Sequence, residues 1–259
     1  MALQWPEVLD WQQWADRFDR MQDRYLVARD ERFETVVRMI HALWPQPERV
    51  LDLGCGSGSL SLAILEAFPE CRLVGVDLDE SMLALAGPRL ARFDERVRLL
   101  RADLRDPAWL ASLGESFDAV VSSTALHWLS PANLAALYAC LPGYMAPGGV
   151  FLNADHVGSV SASVQECWQE RRRSAQQSQE TENESDSWDE FWQAFAAALG
   201  VDPARVGENV VAPWEGVEAG MPLAWHFERL RDAGFAYVDC FWRCDGDAVY
   251  GGVLDDREA

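Results

Sequence analysis

The sequence predicts an α/β protein built on a parallel sheet, and three observations carry that prediction. Short apolar runs alternate with helical patterns from residue 48 to 157, and the first of them runs into a glycine-rich turn. The chain then closes on two further apolar runs joined by Asp245-Gly246. Alternation of this kind requires right-handed crossovers, which set the strands parallel and place helices on both faces.

The chain opens on helix. Trp11, Trp14, Phe18, Met21 and Tyr25 recur every three or four residues, and Phe33, Val36, Val37, Ile40 and Leu43 form a second stripe. Residues 9–43 therefore read as one or two helices, ended by Pro45 and Pro47. Strands are expected near 50–53, 72–76, 97–100, 117–122 and 148–154, with helices near 58–68, 80–92, 107–113 and 131–142. After about residue 157 the pattern breaks. Residues 160–224 carry Trp168, Trp188, Phe191, Trp192, Phe195 and Trp214 around the polar tract Ser174 to Glu190, with no strand signal. This reads as a helical insertion beside the carboxyl ends of the strands, where open α/β sheets bind ligands. A helix over Leu223–Ala233, stopped by Gly234, precedes strands at Ala236–Arg243 and Ala248–Leu254. The expected division is a helical cap (1–47), a ligand-binding core (48–157), the insertion (158–224) and a closing helix and hairpin (225–259).

The first strand reads Val50-Leu-Asp-Leu-Gly-Cys-Gly-Ser-Gly58, and the second, Val74-Gly-Val-Asp-Leu78, ends in an acid 19 residues after Gly58. A glycine turn lets backbone approach a ligand, and an acid at the end of the neighbouring strand takes ribose hydroxyls. A dinucleotide fingerprint, G-x-G-x-x-G, would need glycine at 54, 56 and 59, but position 59 is serine. The third glycine that brings a helix N-terminus against a pyrophosphate is missing.

Asp52-Leu-Gly-Cys-Gly-Ser-Gly58 with Asp77 resembles the first two motifs of class I S-adenosylmethionine-dependent methyltransferases of the type 11/12 group. Ala102-Asp-Leu104, the run Phe117 to Leu129 and Met145 to Leu152 resemble the later motifs in order. The resemblance covers roughly residues 20–155, and Leu230 to Leu254 more loosely. It implies a Rossmann-like seven-stranded sheet of order 3-2-1-4-5-7-6, with the last strand antiparallel. It also implies S-adenosylmethionine as cofactor, with S-adenosylhomocysteine as product. The segment Tyr25-Leu-Val-Ala-Arg-Asp-Glu-Arg32 is similar to that of the trans-aconitate methyltransferase group, whose N-terminal helix covers the cofactor.

From that resemblance the backbone of Gly54, Cys55 and Gly56 is expected along the methionine portion of the cofactor. Asp77 would accept both ribose hydroxyls. Leu78 and Leu104 would sandwich the adenine, Asp103 would accept from its exocyclic amine, and Ser123 would line the loop after the fourth strand. The alternatives are helix caps: Asp77 before Glu80, and Asp103 before Pro107. Tyr25, Arg29 and Arg32 stand at i, i+4 and i+7 and would share one helix face. Tyr25 and Arg29 would then reach the cofactor, Arg29 its carboxylate; alternatively Arg29 and Arg32 pair with Asp30 or Glu34 at the surface.

Methyl transfer is an in-line displacement in which the protein aligns the nucleophile and excludes water. A hydroxyl nucleophile gains from a base. The chain has four histidines. His127 follows the fourth strand and is the first candidate, and His156, after the fifth, is the second. The alternative is that both are packed histidines and transfer proceeds by alignment alone. The aromatics of the insertion would either wall the acceptor or form core.

Composition narrows the partners. Net charge is −20, and all 22 basic residues are arginine. Such a field repels nucleic acid. The absence of lysine excludes lysine Schiff-base chemistry. The loop after the fourth strand, Ser-Ser-Thr-Ala-Leu-His-Trp, lacks the Asn/Asp-Pro-Pro-Tyr/Phe pattern of methyltransferases acting on bases and protein glutamine. A small-molecule acceptor, methylated at oxygen, is therefore expected. Six scattered cysteines point to reduced thiols and no metal site. No apolar run suits a membrane span and no signal peptide is recognisable, so a cytoplasmic protein is expected. The competing readings are a nicotinamide-dependent oxidoreductase and a non-catalytic protein that binds S-adenosylmethionine.

Overall fold

The computed structural model describes residues 9–26, 28–182, 185–207, 215–217 and 219–255. In chain order the elements are α1 (Trp11–Tyr25), α2 (Arg29–Leu43), β1 (Arg49–Leu53), α3 (Ser59–Ala67), β2 (Arg72–Asp77), α4 (Glu80–Leu90) and β3 (Val97–Arg101). They continue with β4 (Phe117–Ser123), α5 (Pro131–Cys140), β5 (Met145–His156), α6 (Ala162–Glu182), α7 (Trp188–Leu199), α8 (Leu223–Ala233), β6 (Phe235–Cys244) and β7 (Asp247–Leu254).

The seven strands form one sheet in the order β3-β2-β1-β4-β5-β7-β6, as the resemblance implied. β1 to β5 run parallel, and β7 lies antiparallel between β5 and β6. Alternate strand residues serve opposite faces, the two-residue period of a pleated sheet. Leu51, Leu53, Val74, Val76, Val120 and Phe151 pack with Leu137 and Tyr138 of α5 and Leu230 of α8. Their neighbours Val50, Leu73, Ala119, Val121, Val150 and Leu152 pack with Val36 and Ile40 of α2, α3 and Leu90 of α4. Strands buried on both faces explain why these segments are nearly all apolar.

A third apolar cluster stands apart from the sheet. Phe18 and Met21 of α1, Met82 and Leu85 of α4, and Phe191, Trp192 and Phe195 of α7 bury one another. The rings of Phe18 and Phe191 meet edge-on at 5.3 Å between centroids, an arrangement favoured by the ring quadrupoles. α7 starts at a capping box between Ser187 and Glu190 and stops at Gly200 in the left-handed conformation, which accounts for its sharp limits. The insertion between β5 and α8 is thus helical among the described residues, while Trp214 lies outside them.

Three local expectations need correction. The N-terminal helical pattern is broken after Tyr25, because Leu26 is extended and Ala28 is left-handed at φ 50°. Tyr25 therefore ends one helix and Arg29 begins another, so they do not share a continuous face. The segment expected as a helix over 107–113 is a 3-10 turn from Pro107 to Ser112, capped by Asp106 and followed by Gly114 at φ 67°. Residues 91–96 are likewise 3-10, not a continuation of α4.

Of the two readings for Arg32, a face turned toward the body of the protein or a surface pair with Asp30 or Glu34, the surface pair fails, because the residue is fully buried. Its guanidinium donates to the carbonyl of Ala154 in β5 and, at 3.2 Å, to the hydroxyl of Thr124 after β4. It also lies 3.6 Å from Asp247 at the start of β7. Removing one partner of a buried pair leaves the other charge uncompensated. Arg32→Ala should therefore lower unfolding free energy by about 3–5 kcal/mol, measured by urea denaturation followed at the tryptophans.

Candidate active site

A cleft of about 240 Å³ opens at the carboxyl ends of β1, β2 and β4, where the strand order reverses. Its floor is the turn after β1. Gly54 is left-handed at φ 67°, and a Cβ there would lie 2.3 Å from Cβ of Ala125. Gly56, at φ 54°, would place a Cβ no nearer than 4.0 Å to any side chain. The first glycine permits close packing of the two loops; the second presents bare backbone to the cavity.

Asp77 ends β2 beside this turn. One carboxylate oxygen accepts from the backbone N–H of Gly56 at 2.8 Å and the other from that of Asp79 at 2.9 Å. Burial nonetheless raises its pKa to about 6, outweighing those two amides. The N-cap of α4 is Asp79, which accepts from Ser81 N–H at 2.8 Å, so Asp77 is not the cap. Leu78 and Leu104 line the cleft beside it.

Asp103 also lines the cleft, but its carboxylate is engaged by Arg105 at 2.6 Å, which holds it below the usual carboxylate range. The neighbouring 3-10 turn is capped by Asp106, which rules out that role for Asp103. Cys55 is buried in the cleft wall, and burial raises its thiol well above the ordinary value. Ser123 at the end of β4 and Thr124 just after it line the cleft, Thr124 with a left-handed backbone at φ 54°. Arg32 bonds its hydroxyl and Ala154 O takes its N–H at 3.0 Å, so the strain of a β-branched residue there is held by its neighbours.

Arg29 lines the cleft and is paired with Asp19 at 2.8 Å and Asp23 at 3.5 Å, not with Asp30 or Glu34. Asp19 also takes Arg89 of α4 at 2.7 Å and the hydroxyl of Ser59 at 2.8 Å. It thereby ties α1 to the helix that follows the glycine turn. Tyr25 does not line the cleft; its hydroxyl accepts from the backbone N–H of Trp188 at 3.1 Å and so joins α1 to α7.

Neither expected base lies in the cleft. His127 and His156 line an adjoining small cavity, with Leu129 common to both walls. His127 Nδ1 is 2.6 Å from Asp155 Oδ1, and its backbone N–H donates to the other oxygen at 3.0 Å. His156 Nδ1 is 2.7 Å from Asp247, which also takes Arg172 of α6 at 3.0 Å. The two rings are 4.8 Å apart. The cause of the separation is that both carboxylates sit behind the loop, at the end of β5 and the start of β7.

Four residues escaped the sequence reading. Asp52 lies in the first motif, yet its role was not assigned. Ser61 donates to one carboxylate oxygen at 2.5 Å, while Oδ1 is buried without a hydrogen-bond partner. Burial raises this carboxyl to about 7. Asp155 and Asp247 hide in apolar strands, and Arg89 in an apolar helix; only the rarity of charge in such runs could have singled them out.

Residues 50–149 match the family model described as "Methyltransferase domain". A trans-aconitate 2-methyltransferase of Acidovorax sp. (strain JS42) is 37% identical over 45% of this chain and 40% of its own length. A carboxy-S-adenosyl-L-methionine synthase of Aeromonas hydrophila is 27% identical over 81% of this chain and 76% of its own. In structure, an O-methyltransferase family protein from Burkholderia thailandensis superposes with a TM-score of 0.55 at 16% identity, over 96% of this chain and 65% of its own. Matched segment, strand order and motif order together make this core a class I S-adenosylmethionine-dependent methyltransferase domain. The chain spans about two fifths of the length of the Acidovorax relative.

Behind the cleft, His226 of α8 meets the hydroxyls of Tyr138 and Tyr250, each at 3.0 Å from Nδ1. Burial lowers its pKa to about 4. In an unfolded chain it would titrate near 6.5, so its stability contribution is intact above that pH. As pH falls from 6.5 to 4 the unfolded chain takes up a proton that the fold refuses, and roughly 3 kcal/mol is lost. Asp247, held below its usual range mainly by His156 against its burial, adds a further loss below pH 4. Urea titrations at pH 7 and 5 should show the first loss, and His226→Gln should reduce it.

Proposed function

We propose that the protein transfers a methyl group from S-adenosylmethionine to an oxygen of a small molecule. The observation that carries this reading is the pairing of Asp77 with the backbone of Gly56 across an open glycine turn. The same carboxylate can receive both hydroxyls of a ribose, and the turn leaves backbone amides for an aminoacyl chain. Leu78 and Leu104 offer apolar faces to a purine. Arg29 is the cation for the cofactor carboxylate. The unpartnered oxygen of Asp52 suits its ammonium group, because a cation there would lower a carboxyl that burial has raised.

The sulfonium supplies a methyl group already activated for displacement. What remains for the chain is to orient the acceptor and keep water out. Phe18, Trp188 and Trp192 line the cleft from α1 and α7 and supply that apolar cover. His127 is the proposed base. Asp155 engages Nδ1 and fixes the ring, and Leu129 is the wall its cavity shares with the cleft. His156 is second in line, since burial lowers its pKa and keeps the ring neutral.

Calorimetry with S-adenosylhomocysteine tests the cofactor site. Asp77→Ala should weaken binding about ten- to hundredfold, ~1.5–3 kcal/mol, and unchanged affinity would refute the assignment. Since Asp77 titrates near 6 in the open cleft, affinity should hold above that pH and fall about tenfold per unit below it. His127→Ala should lower kcat while leaving the affinity for S-adenosylhomocysteine within about twofold; equal loss of both removes it as the base.

A further inference from the structure

We infer that Arg172, on the first helix of the insertion, is a positioning residue for the acid–base step. It keeps the ring of His156 uncharged and so leaves His127 as the ring that takes the acceptor's proton. This inference rests on the methyltransferase reading above and adds to it a residue outside the cleft.

The ring centroids of His127 and His156 stand 4.8 Å apart. Two charged rings at that distance repel each other, so the first proton the pair takes up excludes the second. Each ring has its own acid. An ionised carboxylate can only accept, so His127 donates from Nδ1 to Asp155 at 2.6 Å and His156 from Nδ1 to Asp247 at 2.7 Å. The two acids differ in what else they hold. Asp155 also accepts the backbone N–H groups of His127 at 3.0 Å and His156 at 2.8 Å, which are neutral donors. Asp247 accepts from Arg172 at 3.0 Å and lies 3.6 Å from Arg32, so two guanidiniums already draw on its charge.

Arg172 acts on the ring directly as well. Its Nη2 is 3.3 Å from Nδ1 of His156. A proton added to His156 would set one cation against another, whereas a proton added to His127 would face Asp155. Burial lowers the pKa of His156 further, against the pull of Asp247. The remaining titratable groups among the described residues of this small cavity are His226 of α8 and Tyr250 of β7. Both are neutral near pH 7, since burial lowers the first to about 4 and raises the second well above its ordinary value.

α6 holds Arg172 in place by sitting on the β6–β7 turn. Arg171 pairs with Asp245 at 3.1 Å, and the guanidinium of Arg243 lies 4.9 Å over the ring of Trp168. A Cβ on Gly246 would come within 3.6 Å of that same ring. The insertion thereby sets which of the two histidines is charged.

The test follows the histidine rings of the whole labelled protein by NMR between about pH 8 and pH 5. Signals are assigned through His127→Gln and His156→Gln. At about pH 6 an unshifted histidine is mostly protonated, but His156 should still be mostly neutral. Arg172→Gln should raise its midpoint by about one pH unit or more, and His127 should lose part of its charge as its neighbour gains one. Arg172→Lys, which keeps the cation, should hold His156 nearer the wild-type midpoint, and Arg171→Gln should leave it in place. The proposal is overturned by a wild-type His156 mostly charged at about pH 6, or by an unmoved midpoint in Arg172→Gln. A shift in Arg172→Lys or Arg171→Gln as large as that in Arg172→Gln overturns it too. Calorimetry of the wild-type protein with S-adenosylhomocysteine checks the underlying reading separately: no binding refutes the methyltransferase assignment, whichever ring charges first.

Discussion

One buried guanidinium holds the functional end of the sheet together. Arg32 enters from α2 and reaches a carbonyl of β5, a hydroxyl after β4 and a carboxylate at the start of β7. Those three points belong to segments far apart in the chain. Asp247 extends the network to His156 and, through Arg172, to α6. A cation removed from water is tolerated only when its surroundings supply charge and acceptors. The positions of the loop after β4 and of the first helix of the insertion are consequently coupled to one side chain.

Around that anchor the cleft is assembled from rigid ends. β1 delivers a glycine turn, β2 an acid, β3 an acid already tied to Arg105, and β4 a strained loop. Asp19 closes the opposite side, joining Arg29, Arg89 and Ser59. Asp52, Asp77 and Asp103 have different environments, and their pKa values diverge accordingly. Burial lifts Asp52 to about 7 and Asp77 to about 6, while Arg105 draws Asp103 down. Environment, more than residue type, decides which acid is ready to meet a positive or hydroxyl-bearing ligand.

The sheet was legible from sequence because its signals are local. Apolar runs, the glycine spacing at 54–58 and the Asp245-Gly246 turn each depend on a few neighbours. The cleft was legible where a motif specified it, at Gly54, Gly56, Asp77, Leu78 and Leu104. It was not legible where partners come from distant strands. The two stripes of residues 9–43 allowed one helix or two but did not place the break at 26–28, because a left-handed alanine leaves no compositional trace. His127 falls at the right place in the chain, but Asp155 pulls its ring to the wall of a neighbouring cavity. For Arg32 the helical spacing left an inward face and a surface pair both open, because its partners at Thr124, Ala154 and Asp247 lie far away in sequence.

The aromatic cluster of α1, α4 and α7 has a consequence for how the molecule breathes. Its rings bury one another and rest on α4, whereas the two sheet layers are sealed by α2, α3, α5 and α8. The covering helices form a unit whose detachment exposes their own aromatics without uncovering a strand. Such a unit opens at a free-energy cost below that of global unfolding. Amides of α1 and α7 would then exchange with solvent as one group, ahead of β1 and β4, and ligand occupancy would slow that group as well as global exchange.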